Sequence, residues 1–313
     1  MGAMQRVMHI LTGPTAVGKT EWALRWAETR GAEIVSCDSL LFYRGMDLGT
    51  AKPSAEERQR VPHHLIDVCE VTERVTVVDY AAWAQRVVSE IASRGRPVLV
   101  VGGSGFYLRS FFSAIGDDIA VPVELRNEGE QRLAREGLAS LVSELRALNP
   151  EGLGTLDVAN PRRVLRALER CRASGRTLVD LADAFARKPS PFADWALHVC
   201  RLDCDPSVLN QRIAQRVQAM LSAGLLEEVA ELRRRGLERN PSAAGAIGYR
   251  ESLAVLRGTG SRETLAEEIA RNTRALVKKQ RTWFKTQLPS HRVLQTAEVT
   301  VEHLFEGPAW FPA

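Results

Sequence analysis

The chain has 313 residues, 45% hydrophobic and 26% charged, the balance of a globular rather than a disordered chain, and it is long enough for a substantial buried core. No run approaches the roughly 18 to 20 apolar residues of a membrane span, and the N-terminus has no cleavable hydrophobic segment, so a cytoplasmic location is expected. Cys37, Cys69, Cys171, Cys200 and Cys204 form no paired CxxC set, against a disulfide framework or zinc site, and the net charge of +4 has its cationic surplus in residues 197–313.

Leaving Met1–Gln5 aside, Arg6-Val7-Met8-His9-Ile10-Leu11 is a short apolar run that ends in Thr12-Gly13, and Thr20 to Arg30 carries helical periodicity. Between them lies Gly13-Pro14-Thr15-Ala16-Val17-Gly18-Lys19-Thr20, which fits G-x-x-x-x-G-K-[ST] in the strand–loop–helix setting where that pattern has physical meaning. The glycines let backbone amides turn onto phosphate oxygens, the helix start favours negative charge, Lys19 neutralises it, and Thr20 can hold Mg²⁺.

Ile34 to Cys37 reads as a second strand, and Asp38 follows it directly. A carboxylate at the carboxyl end of a parallel strand stands on the edge where ligands bind in open α/β sheets. There it can act as a base or simply cap the next turn; spacing alone leaves both roles open.

Asp79 to Ser93 predicts an amphipathic helix, and Pro97 to Val101 a buried strand without polar alternation. Such strands, separated by helices, predict an α/β fold: a P-loop-type parallel sheet with helices on both faces. A phosphate loop serving ATP or GTP is usually joined by an Asp closing a later apolar strand, whereas Val98–Val101 closes on Gly102-Gly103-Ser104-Gly105. That weakens a kinase or ATPase reading.

After Gly116 the chain turns helical and rich in Arg and Glu, with no further strand until Ala196 to Leu202, and from Pro206 onward it is helical again. The expected organisation is a first core part over 1–116, a helical insertion domain over 117–196, and core completion with basic C-terminal helices over 197–313. Arg212 and Arg216, spaced i, i+4, can face one anionic site. In the insertion, Arg162, Arg163, Arg166, Arg170, Arg172 and Arg176 are opposed only by Glu169. Near the end, Arg271, Arg274, Lys278, Arg281 and Lys285 recur at alternating intervals of three and four, with no acid between 269 and 285. Ile269, Leu276 and Trp283, with Val277 and Phe284 beside them, mark the expected buried face of that helix, and the unmixed cationic stripe points to RNA phosphate.

Several blocks together resemble the tRNA dimethylallyltransferase, or tRNA isopentenyltransferase, family. They are Gly13–Thr20, Asp38 to Pro53, Pro62-His63-His64-Leu65-Ile66-Asp67, Gly102 to Leu108, Asn160 to Glu169, Arg212 to Met220, Ala246 to Glu251, and Lys279-Gln280-Arg281-Thr282-Trp283-Phe284, in family order. The family often has Thr at Ser104 and Gln-Val at Leu41-Phe42; Ser104 keeps the hydroxyl, whereas Leu41 lacks the amide. The resemblance implies transfer of a dimethylallyl group from dimethylallyl diphosphate to N6 of the adenosine 3′-adjacent to the tRNA anticodon, with Mg²⁺ and without an obligate protein partner.

It further implies that Gly13, Pro14, Thr15, Ala16, Val17, Gly18, Lys19 and Thr20 hold the diphosphate. Asp38 meets the adenine amine, Ser104, Arg126 and Arg216 complete the catalytic set, and Ser39, Leu40 and Leu41 line the RNA side. Arg162, Arg163, Val164, Leu165 and Arg166, then Gly248, Tyr249 and Arg250, are the implied tRNA contacts, to which the charge pattern adds the stripe residues Arg271, Arg274, Lys278 and Arg281. The rivals are a small-molecule or nucleotide kinase, which leaves the basic clusters unused, and a nucleotide-switched RNA-binding module, which leaves Asp38 idle.

Overall fold

The computed structural model describes residues 6–116 and 119–309. The chain divides into two compact units, residues 1–113 with 190–313, and residues 114–189. The second division comes earlier than the sequence pattern shows because the segment before the returning strand already belongs to the first unit. There Ser190 Oγ donates to Phe111 O at 3.2 Å. The first sequence break, at Gly116, adjoins residues 117–118, which lie outside the described residues, as do Met1–Gln5.

The first unit opens with β1 (Arg6–Thr12), α1 (Lys19–Arg30), β2 (Glu33–Ser36), α2 (Ala55–Arg60), β3 (His63–His64), α3 (Val77–Ser93), β4 (Val98–Val101) and α4 (Gly105–Leu108). In the helical unit, α5 (Val123–Glu136), α6 (Leu138–Ala147), α7 (Pro161–Ser174) and α8 (Leu178–Ala186) close on their own core of Leu141, Leu145, Val164, Leu168, Cys171 and Leu181. Asn149, buried there, donates to Leu145 O and accepts from Leu178 N, which ties α6 to the start of α8. The first unit resumes with β5 (Trp195–Asp203), α9 (Pro206–Ser222), α10 (Leu225–Arg234), α11 (Pro241–Ala244), α12 (Tyr249–Leu256), α13 (Leu265–Gln287) and β6 (Arg292–Gln295).

The six strands form one sheet in the order β3-β2-β4-β1-β5-β6, and every pairing is parallel. Met8, Ile10, Leu11, Val98, Leu99, Val100, Ile34 and Val35 are all buried, as strands covered on both faces require. β3 and β6 have no signal of their own. β3 is two residues held by Ile34 and Val35, and β6 is an edge strand with Val293 exposed that exists through its pairing with Cys200–Asp203.

This order sets the chemistry. The neighbours β2, β4 and β1 run in one direction, so their carboxyl ends deliver Asp38, the Gly102–Gly105 turn and the Gly13–Thr20 loop to one edge of the sheet. Cys37 N donates to Val101 O and Gly102 N to Leu11 O, which continues the ladder past the last paired residues.

Candidate active site

The phosphate loop leaves β1 at Gly13, whose φ of +147° and whose missing Cβ, 2.4 Å from Leu202 O, admit only glycine. It closes at Gly18, left-handed and N-cap to α1. Lys19 heads the helix and folds back, Nζ donating to Gly13 O at 3.0 Å and Pro14 O at 2.9 Å. Burial lowers the ammonium pKa to about 8, against the Asp38 carboxylate, which opposes the shift, and with Arg216, which adds to it.

Two arginines one turn apart on α9 reach the same edge. Arg212 donates from Nη1 to Val17 O at 3.0 Å, and Arg216 from Nη2 to Thr50 O at 3.0 Å. Burial pulls the Arg216 pKa below its ordinary value, and the Asp38 carboxylate opposes this. Because a guanidinium carries five donors, Arg216 can keep Thr50 and still bind an anion.

Asp38 performs one of the two roles that spacing left open. Its Oδ1 accepts from Leu40 N at 3.0 Å, which caps the turn, and it faces two cavities at once. The first, about 810 Å³, is lined by Thr15–Thr20, Arg212, Arg216, Ser36 and Leu41. The second, about 610 Å³, is lined by Ser39, Leu40, Ser104, Phe106, Leu276 and Trp283. Thr15, Asp38, Thr50 and Arg216 belong to both, so the carboxylate stands at the waist between a cationic chamber and an apolar one. Ser104 Oγ accepts from Ser39 N at 3.2 Å and fixes the residue after Asp38.

Sequence reasoning passed over the brace that sets this waist. Glu228, in the mixed-charge α10, accepts from the backbone N–H groups of Asp47, Leu48 and Gly49 and, at 2.6 Å, from the Tyr249 hydroxyl. The brace holds the segment whose Thr50 carbonyl receives Arg216. Its sequence signal was only an acid among acids. A second brace joins two motif blocks: Lys52, whose side chain is 3% exposed, meets Asp67 at 2.5 Å and Tyr43 O at 2.9 Å. The adjacent histidines diverge, His64 to Glu33 and His63 to Val61 O.

A protein-family description reading IPP transferase matches residues 41–287. The tRNA dimethylallyltransferase of Opitutus terrae is 62% identical over 290 residues, 93% of either chain, and that of Kocuria rhizophila 42% identical over 278 residues, 88% of this chain and 85% of its own. The chain belongs to the tRNA dimethylallyltransferase family. The crystal structure of full-length tRNA isopentenylpyrophosphate transferase from Bacillus halodurans superposes with a TM-score of 0.67 at 34% identity, covering 93% of this chain and 90% of that one. A eukaryotic dimethylallyltransferase acting on tRNA shares the fold, with a TM-score of 0.80 at 23% identity over 93% of this chain and 74% of its own. Membership in the dimethylallyltransferase family sets the kinase reading aside.

Other expected site residues fall in different places. Leu41 lines the cationic chamber, while Ser39 and Leu40 line the apolar one. Gly248 borders the apolar chamber, whereas Tyr249 is fully buried on Glu228, so its side chain presents nothing to an RNA. Arg250 donates to Glu251 at 2.7 Å. In the helical unit Arg126 is exposed on α5, and Arg162, Arg163 and Arg166 are exposed on α7. Val164 is in that unit's core and Leu165 is half-buried, which removes Val164 as a side-chain contact.

On α13, Arg271, Lys278 and Lys285 are exposed and Arg274 is partly so, and none has an acidic partner among the described residues. Arg281 differs: its guanidinium is spent on Asp203 at 2.6 Å and Cys204 O at 2.8 Å. Arg271, Arg274, Lys278 and Arg281 line a groove of about 380 Å³ beside Pro206 and Leu209. The buried stripe is narrower than expected and runs through Ile269, Ala270, Val277 and Phe284. Leu276 is 37% exposed, and both Leu276 and Trp283 face the apolar chamber.

Proposed function

We propose that the cationic chamber seats dimethylallyl diphosphate, that the apolar chamber receives the adenine next to the anticodon, and that transfer occurs at the waist beside Asp38. The observation that carries this reading is that one carboxylate lines both chambers. Heterolysis of the allylic carbon–oxygen bond leaves charge on the diphosphate, and an enzyme helps most by stabilising that charge. Loop amides of Ala16 and Gly18–Thr20, with Lys19, Arg212 and Arg216, are the proposed donors to it.

The amine of adenine is a weak nucleophile because its lone pair is delocalised into the ring. Asp38 answers this by accepting the N6 proton as the nitrogen–carbon bond forms, a contribution of roughly 10² to 10⁴ in rate. Ser104 and Ser39 orient the base, and Leu40 and Gly248 line its entry. The adenosine must leave the anticodon-loop stack, at a cost of a few kcal/mol or less.

Oxygen donors suited to Mg²⁺ are present: Thr20 at the start of α1 borders the chamber, and Ser36 Oγ, buried and without a hydrogen-bond partner, lines its floor. Mg²⁺ held there would add charge neutralisation to the diphosphate. Arg271, Arg274 and Lys278, with Arg162, Arg163 and Arg166 in the helical unit, are the proposed phosphate contacts of the tRNA. Arg126 is proposed to contact RNA or diphosphate, and Arg250 the RNA.

Labelled dimethylallyl diphosphate mixed with tRNA is expected to place one label in the RNA for each diphosphate released, while labelled ATP is left intact. Equal labelling of a tRNA in which guanosine replaces that adenosine would sink the assignment, since guanosine has no N6 amine.

A further inference from the structure

Gln280 occupies a position that the chemistry above leaves unused. It sits on α13, between the cationic residues Lys278 and Arg281, yet its amide turns away from them into the first unit's ligand edge. Oε1 accepts from Thr15 N at 3.0 Å, and Nε2 donates to Gly103 O at 2.9 Å. One side chain therefore ties the phosphate loop after β1 to the glycine-rich turn after β4, two segments that are not joined to each other by the sheet ladder beyond Gly102.

The surroundings leave little slack. A methyl at Gly103 would lie 2.9 Å from Gln280 Nε2, 3.0 Å from Gly13 O and 3.5 Å from Lys19 Nζ. Gly13 O is the same carbonyl that Lys19 holds. Beyond Gly103 the backbone leads to Ser104, whose Oγ accepts from Ser39 N, next to Asp38. A continuous path thus runs from the loop that would grip the leaving group, through Gln280, to the turn that steadies the proton acceptor.

We infer that Gln280 is a positioning residue, a clamp that sets the spacing between the diphosphate seat and the Asp38 turn. The inference rests on the reading of Gly13–Thr20 as that seat. In-line displacement tolerates little error in this spacing: a misplacement of about 1 Å can cost on the order of 10²-fold in rate. Donor and acceptor are both needed, because the Thr15 amide must find an acceptor and the Gly103 carbonyl a donor; a longer cation at 280 would satisfy only the second.

Gln280→Met keeps the length and removes both hydrogen bonds. With cooperative thermal unfolding retained, its single-turnover rate with both substrates saturating should fall about ten- to hundred-fold. The affinity for inorganic diphosphate, measured without tRNA, should fall several-fold, and the Thr15 amide should exchange with solvent faster. Gly103→Ala strains the same junction, so the double variant should lose less than the sum of the two single effects. A normal saturated rate in folded Gln280→Met would overturn the clamp. So would a loss confined to the KM for tRNA, which would make Gln280 an RNA contact. The underlying seat is tested separately: inorganic diphosphate binding equally to wild type and Lys19→Met would refute the seat, whatever Gln280 does.

Discussion

The cationic chamber takes its longest run of wall from one continuous stretch, Thr15 to Ala23, with two arginines from α9 beside it. The chamber on the other side of Asp38 has no such run and takes short pieces of distant segments: Leu40 after β2, Phe106 on α4, Met220 on α9, Ile247 before α12, and Leu276 and Trp283 on α13. One is polar because backbone amides and cations converge there; the other is apolar because helix faces leave a gap. The difference teaches where binding and chemistry can be separated. On the proposed reading, phosphate is gripped by a mainly local loop that α9 and Gln280 hold in place, while a base is received by a surface that exists only when distant segments are packed together.

The severest test of this division acts at the waist. Asp38→Asn keeps the size and the reach to Leu40 N but removes the charge and nearly all basicity. Single-turnover rates should fall by roughly 10² to 10⁴, with diphosphate affinity unchanged or slightly higher, since a carboxylate repels that anion. Equal losses in binding and rate would make Asp38 a positioning group and blur the line between the chambers.

Lys19 should act on one side only. Lys19→Met is expected to weaken diphosphate binding about ten- to hundred-fold, the value of a charge-assisted hydrogen bond, and to leave tRNA binding alone. Because burial brings the Lys19 pKa down to about 8, the side chain is charged below that pH and neutral above it. Diphosphate affinity of the free protein should therefore decline from pH 7 to 9 more steeply in wild type than in Lys19→Arg, whose guanidinium stays charged. Parallel titration curves, measured by calorimetry, would remove Lys19 from the anion's grip.

The smallest effect belongs outside both chambers. Arg274→Ala with Lys278→Ala should weaken tRNA binding several-fold at physiological salt and lower the log–log salt slope by about 1.4, near 0.7 for each single-strand phosphate that is no longer neutralised. Diphosphate affinity should not move. An unchanged slope would return these cations to an ordinary solvated face.

Legibility followed the same boundary. The phosphate loop and the strand ends that carry Asp38 and Ser104 could be read directly, because a motif bounded by an apolar run and a helix start is a local object. Reading α13 was harder. A seven-residue spacing placed Leu276 and Trp283 on the buried face beside Val277 and Phe284; only the latter pair is packed, and Leu276 and Trp283, one residue or about 100° round the helix, face the apolar chamber. Arg281 looked like its neighbours in the stripe and is held by Asp203, at the far end of β5. Tyr249 and Val164, both expected at RNA, are core residues, since motif membership does not say whether a residue is kept for contact or for packing.

By itself the sequence determined the parallel α/β architecture, the phosphate loop, the acid at the second strand's end and the family, because each is written in short-range periodicity or in a contiguous motif. Only the tertiary structure decided that Asp38 faces two chambers, that Glu228 braces the Asp47–Thr50 segment, that Gln280 joins Thr15 to Gly103, and which cations of α13 stay clear of acids. The physical reason is that these pairings join residues far apart in the chain. Their formation depends on how sheet and helices close together, and such closure leaves no mark in the local spacing of residues.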